Sequence, residues 1–229
     1  MTVAQVARAT GLNRATARRL LHTLGSLGYA RRSGDAFSLT PRVLELGYAF
    51  IGSFGVSALA LPFLEQLSGE VHEAVSVGVL DDTDVVYIAR VPGKRVMTIS
   101  IGLGTRFPAY RTSLGRVLLS RLDDDDLADR WSRSDRTDPT PRTVADLDDL
   151  RRELDRVRQQ GYALLDQELE IGVRSVAAPL HDARGQVVAA MNVSTHTTRT
   201  TTAELTDQVV PALLRTAEEL NRVLATRPV

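Results

Sequence analysis

The stretch Gly11–Arg32, GLNRATARRLLHTLGSLGYARR, decides how the head of this 229-residue chain folds. Read as a helix from Asn13 to Leu24 with Asn13 as its N-cap, it sorts into two faces. Ala17, Leu20, Leu21 and Leu24 follow the i, i+3, i+4, i+7 spacing of a buried stripe. Arg14, Arg18 and His22 recur every four residues, with Ala15, Arg19 and Thr23 beside them and no acid among them. A solvated face ordinarily mixes signs. This one does not.

Upstream, Val3, Val6 and Ala7 give a short helical pattern that Thr10-Gly11-Leu12 ends. Downstream, Leu27-Gly28-Tyr29 closes the second helix, and residues 30–40 read as two short strands around Ser33-Gly34-Asp35. Helix, glycine turn, helix and small hairpin together outline a winged helix-turn-helix. The major groove admits one α-helix, and an arginine fork bonds guanine O6 and N7 together. The pattern places Arg14 and Arg18, with Thr16 or His22, at base edges, and Arg19, Arg31 and Arg32 on phosphates. Asn13, at the start of the helix, is counted with this DNA-contacting set. The plainer alternative is a basic helix that packs on its neighbour and binds nothing. The turn, the wing and the charge distribution count against it.

That distribution is uneven although the net charge is zero. Residues 1–42 hold seven arginines and one acid, Asp35, a balance of +6, so the remainder carries −6. A basic head on an acidic body points to a polyanion met by the head alone. The chain has no cysteine, which removes disulfides and thiol chemistry together. His22, His72, His181 and His196 lack metal-ligand spacing, and Asp123–Asp126 read as the start of a helix, so no metal is expected. GLGTRF (102–107) has Phe107 where a dinucleotide loop needs its third glycine. Neither Ser113 nor Ser175 lies in a GxSxG elbow. No cofactor and no enzyme activity are expected. The start, MTVAQVARATG, lacks the layout of a secretion signal and no apolar run reaches membrane-spanning length, so no membrane association and a cytoplasmic location are the default expectations.

Residues 1–41 are expected to form the DNA-binding domain, 42–60 a linker helix and 61–229 an α/β (α+β) body. The apolar content of 42–60 fits pairing with a second subunit or burial within its own. From Ala74 the period drops to two: AVSVGVL and DVVYIARV read as a hairpin, and VMTISIGLG (96–104) as a third strand. Helices follow at TSLGRVLLSRL, at DDDDLADRW and at TVADLDDLRRELDRVRQQG, the last with Thr143 and Asp146 as its capping pair. YALLD, VRSVAAPL and VVAAMNVS complete an antiparallel sheet, and Thr201 and Glu204 form a capping box for a terminal helix. The start of the helix near Thr112-Ser113 offers N–H groups to an anion, with Arg106 or Arg111 to add charge. On these residues alone, a plain cap and solvated arginines are the preferred reading.

From Val3 almost to its end the chain resembles the IclR family of bacterial transcriptional regulators. The resemblance rests on VAQVARATGLNRATARRLLHTLGSLGY, on YIARVPGKRVMTISIGLGTRFPAYRTSLGRVLLS and on GYALLDQELEIGVRSVAAPLHDARGQVVAAMNVS. RFPAY, TSLGRVLL and DQELE are similar to the branch that controls aromatic-acid catabolism, the protocatechuate, 4-hydroxybenzoate and β-ketoadipate regulators. The resemblance implies a winged helix-turn-helix, a linker helix and a GAF-like effector domain, assembled as a homodimer or homotetramer on a double-stranded operator. It implies a small carboxylate effector and carries contacts onto Ser113, Leu114, Val173, Ser175 and Asn192, to which the residue chemistry of the helix start adds Thr112 and Arg106. Asp166 lies next to a further contact, whose aligned position here is Leu165. Family members ordinarily have one more helix ahead of Val3. Its apparent absence predicts an exposed apolar patch at Val6, Leu20 and Leu24, and weak DNA binding until that helix is restored. The rival from another class is a small-molecule enzyme or binding domain carrying a non-functional DNA-binding remnant.

Overall fold

Glycine turns and switches of hydrophobic period set the element boundaries in a computed structural model that describes residues 1–47, 56–93, 101–137 and 140–226. The chain divides into two compact units, Met1–Ser53 and Phe54–Val229.

In the first unit, α1 (Val3–Thr10) opens with a capping box between Thr2 and Gln5 and closes on Gly11 at φ 69°. A left-handed residue costs glycine little, which is why the turn sits there. Helix α2 (Arg14–Ser26) starts at Asn13, whose Oδ1 accepts the Thr16 N–H at 2.9 Å. Strands β1 (Ala30–Ser33) and β2 (Ala36–Leu39) pair antiparallel as the wing, and Thr2 bridges to Ala36. Ala7, Ala17, Leu21, Ala30 and Phe37 are the buried apolar residues of this unit. The four-residue stripe expected on α2 therefore divides. Ala17 and Leu21 are buried, whereas Leu20 and Leu24 stay 47% and 39% exposed because no described residue covers them. They form the open patch expected of them, while Val6 is half-buried rather than open. Residues 43–47 are helical; of the linker helix expected over 42–60, residues 48–55 lie outside the described residues.

The second unit begins with α3 (Val56–Val71) and builds one six-stranded antiparallel sheet in the order β5-β4-β3-β8-β7-β6. Its strands are β3 (Ala74–Asp81), β4 (Asp84–Val91), β5 (Arg106–Pro108), β6 (Ala163–Asp166), β7 (Val173–His181) and β8 (Val187–His196). The strand expected over 96–104 falls largely outside the described residues; the partner of β4 is β5, a few residues later.

Helices cover both faces, which is how a sheet apolar on each side is buried. On one face α3 and the C-terminal helix α7 (Val210–Leu224) pack on Val75, Val77, Val176, Met191 and Val193. A turn at Thr202–Glu204, capped by Thr201 and Glu204 as expected, and a π-helical turn at Leu205–Val209 lead into α7. On the other face lie α4 (Ser113–Leu119), α5 (Asp124–Arg133) and α6 (Leu147–Gln160), over Val85, Tyr87, Leu165, Ala177 and Ala190. Helix α4 rides close: a Cβ on Gly78 would stand 3.0 Å from Leu114 Cδ1. The expected cap at Thr143 is corrected. Asp146 alone caps α6, and the Thr143 hydroxyl donates to Glu168 O, strapping the loop that follows β6. Among the described residues no helix is long and apolar enough to cross a membrane.

Candidate DNA interface and ligand site

On α2, Arg14, Arg18 and Arg19 are exposed, and their side chains form no hydrogen bond or ion pair with any described residue. Arg14, Arg18 and His22 share a groove of about 510 Å³ with Arg32, Asp35 and Phe37 of the wing. The wing side of α2 is thus the arginine side. His22 sets its ring edge-on to Phe37 at 5.8 Å. Arg31 donates to Ser38 Oγ, and Arg32 donates to Gly34 O and stands 3.7 Å from Asp35. These two wing arginines are partly engaged at home. Asn13 gives its side-chain oxygen to the cap, and Thr16 is half-buried behind it. Three free guanidinium groups on one short helix repel each other, a cost that a polyanion turns into affinity.

The second site lies on the sheet face beneath α4. In an antiparallel pair, residues directly opposite share a face. Asn192 on β8 opposes Ser76 on β3 and Ala177 on β7, while Ser194 opposes Ser175, and Ser175 opposes Leu165 on β6. Ala177 and Leu165 pack under α4 and α6, so this whole row faces them. The expected residues Ser113, Leu114, Val173, Ser175 and Asn192 are brought to this one face.

Two of them are unusual. Ser113 Oγ and Asn192 Oδ1 are buried with no hydrogen-bond partner, although Asn192 Nδ2 donates to Ser194 Oγ at 3.0 Å. A buried orphan polar atom costs about 1–3 kcal/mol, and α4 and β8 each carry one here. Leu114 supplies an apolar wall.

The sequence reading missed Arg90. Strict alternation from Val85 and Tyr87 sends Arg90 to the apolar face of α3 and α7. A β-bulge between Val77 and Gly78 breaks that alternation: Val77 opposes Ala89 but Gly78 opposes Tyr87. The extra residue, Ile88, turns Arg90 onto the face of Ser76, where Nη1 donates to Ser76 Oγ at 3.1 Å. Arg90 is half-buried, with no carboxylate partner among the described residues, and burial lowers its pKa below the usual arginine value. Tyr87 beside it is pushed up to about 12, chiefly by burial, so it keeps its phenolic proton. Bulges re-aim side chains in this way beside functional sites.

Three expected contacts are corrected. Arg106 opposes Val86, on the other face, and spends its charge on Asp81 and Asp84. Asp166 opposes Arg174, again on the other face, and pairs with Arg174 and Arg142, whereas Leu165 faces the site. The Thr112 hydroxyl is consumed as N-cap, accepting the Gly115 N–H at 3.0 Å and donating to Ala109 O. Arg111 donates to Thr137 O.

A helix-turn-helix of this geometry and a six-stranded body covered by helices match known proteins. Residues 1–34 match the model of the IclR helix-turn-helix domain, and residues 48–222 match that of the bacterial transcriptional regulator IclR C-terminal region. The chain belongs to the IclR family of bacterial transcriptional regulators. Among IclR relatives, the Pca regulon regulatory protein of Pseudomonas putida is 43% identical over 221 residues, covering 96% of this chain and 76% of that one. A transcriptional regulator from Rhodococcus sp. RHA1 superposes with a TM-score of 0.82 at 49% identity, over 99% of this chain and 91% of the other. The inducer-binding domain of a double mutant of the Acinetobacter PobR transcription factor, solved with 3-hydroxybenzoic acid, gives a TM-score of 0.67 at 36% identity. It covers 73% of this chain and 98% of its own. The IclR fold and the aromatic-acid branch read from the sequence are thereby supported.

Proposed function

We propose that this IclR-family protein controls genes of aromatic-acid breakdown by binding an operator and a hydroxylated aromatic carboxylate. The carrying observation is the composition of one sheet face. With α4 above it, that face offers a half-buried arginine without a carboxylate and two buried oxygens without partners among the described residues, against apolar walls. Arg90 takes the carboxylate through charge-assisted hydrogen bonds. Asn192 Oδ1 has only lone pairs to offer, so it requires a donor, which a ring hydroxyl supplies and a plain hydrocarbon does not. Ser113 Oγ closes the same contact from α4, and Leu114, Leu165 and Val173 flank the ring. The 3-hydroxybenzoic acid complex of the Acinetobacter domain supports this class of ligand.

On the DNA side, Arg14, Arg18 and Arg19 grip the duplex from α2, with Asn13, Thr16 and His22 adjoining and Arg31 and Arg32 positioning the wing. Two subunits of a dimer, or of a tetramer built from dimers, place their α2 helices in successive major grooves about one turn apart. The ligand changes DNA affinity only by as much as it prefers one arrangement over the other. Such a regulator works in the cytoplasm, on DNA, and carries out no chemistry on its ligand.

Isothermal titration against 3- and 4-hydroxybenzoate, protocatechuate, benzoate, β-ketoadipate and pyruvate tests this reading. Hydroxylated aromatic acids bind tighter than benzoate by about tenfold or more, the worth of one satisfied buried acceptor. Equal binding of pyruvate and the hydroxybenzoates, or affinity unchanged in Arg90→Gln, overturns it.

A further inference from the structure

At the opposite end of the same face, away from Asn192 and Ser194, lies a separate cavity of about 520 Å³. Leu80, Leu118, Leu122, Val187 and Val188 line it on one side, and Arg121, His181 and Gln186 make the larger polar part of its surface. Arg121 follows α4, is exposed, and forms no side-chain hydrogen bond or ion pair with any described residue. No contact assigned to the site beneath Ser113 falls in it.

Asn221 selects one tautomer of the neutral His181 ring. The Asn221 Oδ1 accepts the backbone N–H of His181 at 2.8 Å, which leaves Nδ2 as the atom meeting His181 Nδ1 at 3.2 Å. Nδ2 also approaches Pro179 O at 3.5 Å, the orientation a donor requires. An amide nitrogen only donates, so Nδ1 accepts and the ring proton sits on Nε2. The imidazole is held neutral, and burial together with the charge of Arg121 lowers its pKa.

We propose that this cavity is a second ligand site, for a small monocarboxylate with an apolar body. The Arg121 guanidinium and the Nε2–H of His181 supply donors for the two carboxylate oxygens, and the apolar side takes the hydrocarbon. An inorganic anion would leave that side without a partner, and a neutral hydrocarbon would leave the arginine without one. The site lies where α4 ends, and Ser113 of the first site lies where α4 begins. Seven residues of helix therefore connect the two sites, and ligand at one can bias affinity at the other, reciprocally.

The test reads His181 directly. Full-length protein is labelled with ¹³C-histidine, and its His181 resonance is assigned by its loss in His181→Gln. Benzoate, cyclohexanecarboxylate, acetate and benzamide are then titrated in. Benzoate and cyclohexanecarboxylate are expected to shift the resonance saturably, with an apparent Kd of about 0.1–1 mM. Acetate is expected to bind at least about tenfold more weakly, and benzamide to cause no shift. Arg121→Gln weakens the benzoate response about tenfold or more, and Arg121→Lys restores part of it. Absence of a saturable shift up to about 20 mM benzoate overturns the site. So does an equal response to benzamide. A response unaltered in Arg121→Gln also overturns it, because it shows transmission from the first pocket.

Discussion

Arg90 is worth more than its single hydrogen bond because of what it lacks. Burial makes its charge expensive, and Ser76 alone does not repay that. Arg90→Gln is expected to weaken hydroxybenzoate binding about ten- to hundredfold, read by titration calorimetry, while the ligand-free fold holds. Ser113→Ala tests the orphan oxygens from the other side. Removing an unpartnered buried hydroxyl should leave the ligand-free protein as stable or about 1 kcal/mol more so in urea, while lowering ligand affinity. A loss of stability would mean that Oγ has a partner inside the protein. His181 gives a pH signature. Its pKa is lowered, chiefly by burial and then by Arg121, with Asp182 acting the other way. The unfolded chain therefore takes up this proton first as pH falls. The neutral imidazole's advantage is intact above the unfolded value of 6.5 and is lost as pH drops toward the native pKa. Arg121→Gln should raise the His181 pKa in an NMR titration; an unchanged value would deny the contact.

Among the elements, α2 was the most legible, while β4 stands at its expected bounds but not with its expected faces. The cap at Asn13, the glycine turn and the arginine spacing are all local, and each stands where the sequence placed it. Burial of α2 was half legible. A 3.6-residue period shows which residues can be covered, not whether anything covers them, and Leu20 and Leu24 are left open. Arg90 was not legible, because a bulge is a one-residue event decided by pairing with β3 and leaves no periodic trace. Arg106 and Asp166 failed similarly: counting along a strand does not say which face its neighbours assign it. Position α4 is set by a tight contact. A Cβ on Gly115 would stand 2.0 Å from Ala109 O, a backbone atom that cannot step aside. Gly115→Ala is expected to cost about 3 kcal/mol or more in urea denaturation, whereas an exposed substitution such as Arg152→Ala changes stability by less than about 0.5 kcal/mol.

Over the whole chain, charge is the simplest division of labour. The first 42 residues carry +6 and the rest −6, so a polyanion is drawn to the head and repelled by the remainder. Under the proposed function the ligand is held in the acidic body, where half-buried Arg90, without a carboxylate partner among the described residues, selects an anion. The proposed dimer or tetramer would double or quadruple the basic face, and the steepness of salt dependence would grow with it. The account rests on the guanidinium groups of α2 meeting phosphate and base edges. The most direct measurement is fluorescence anisotropy of the full-length protein on DNA from upstream of its own gene, at about 50 and 200 mM salt. It is run on the native chain and on Arg14→Ala and Arg18→Ala, with and without 4-hydroxybenzoate. Affinity is expected to fall steeply with salt, with a slope reduced by about 0.9 for each phosphate contact removed, and to shift on adding ligand. Binding indifferent to salt and to loss of both arginines would contradict it.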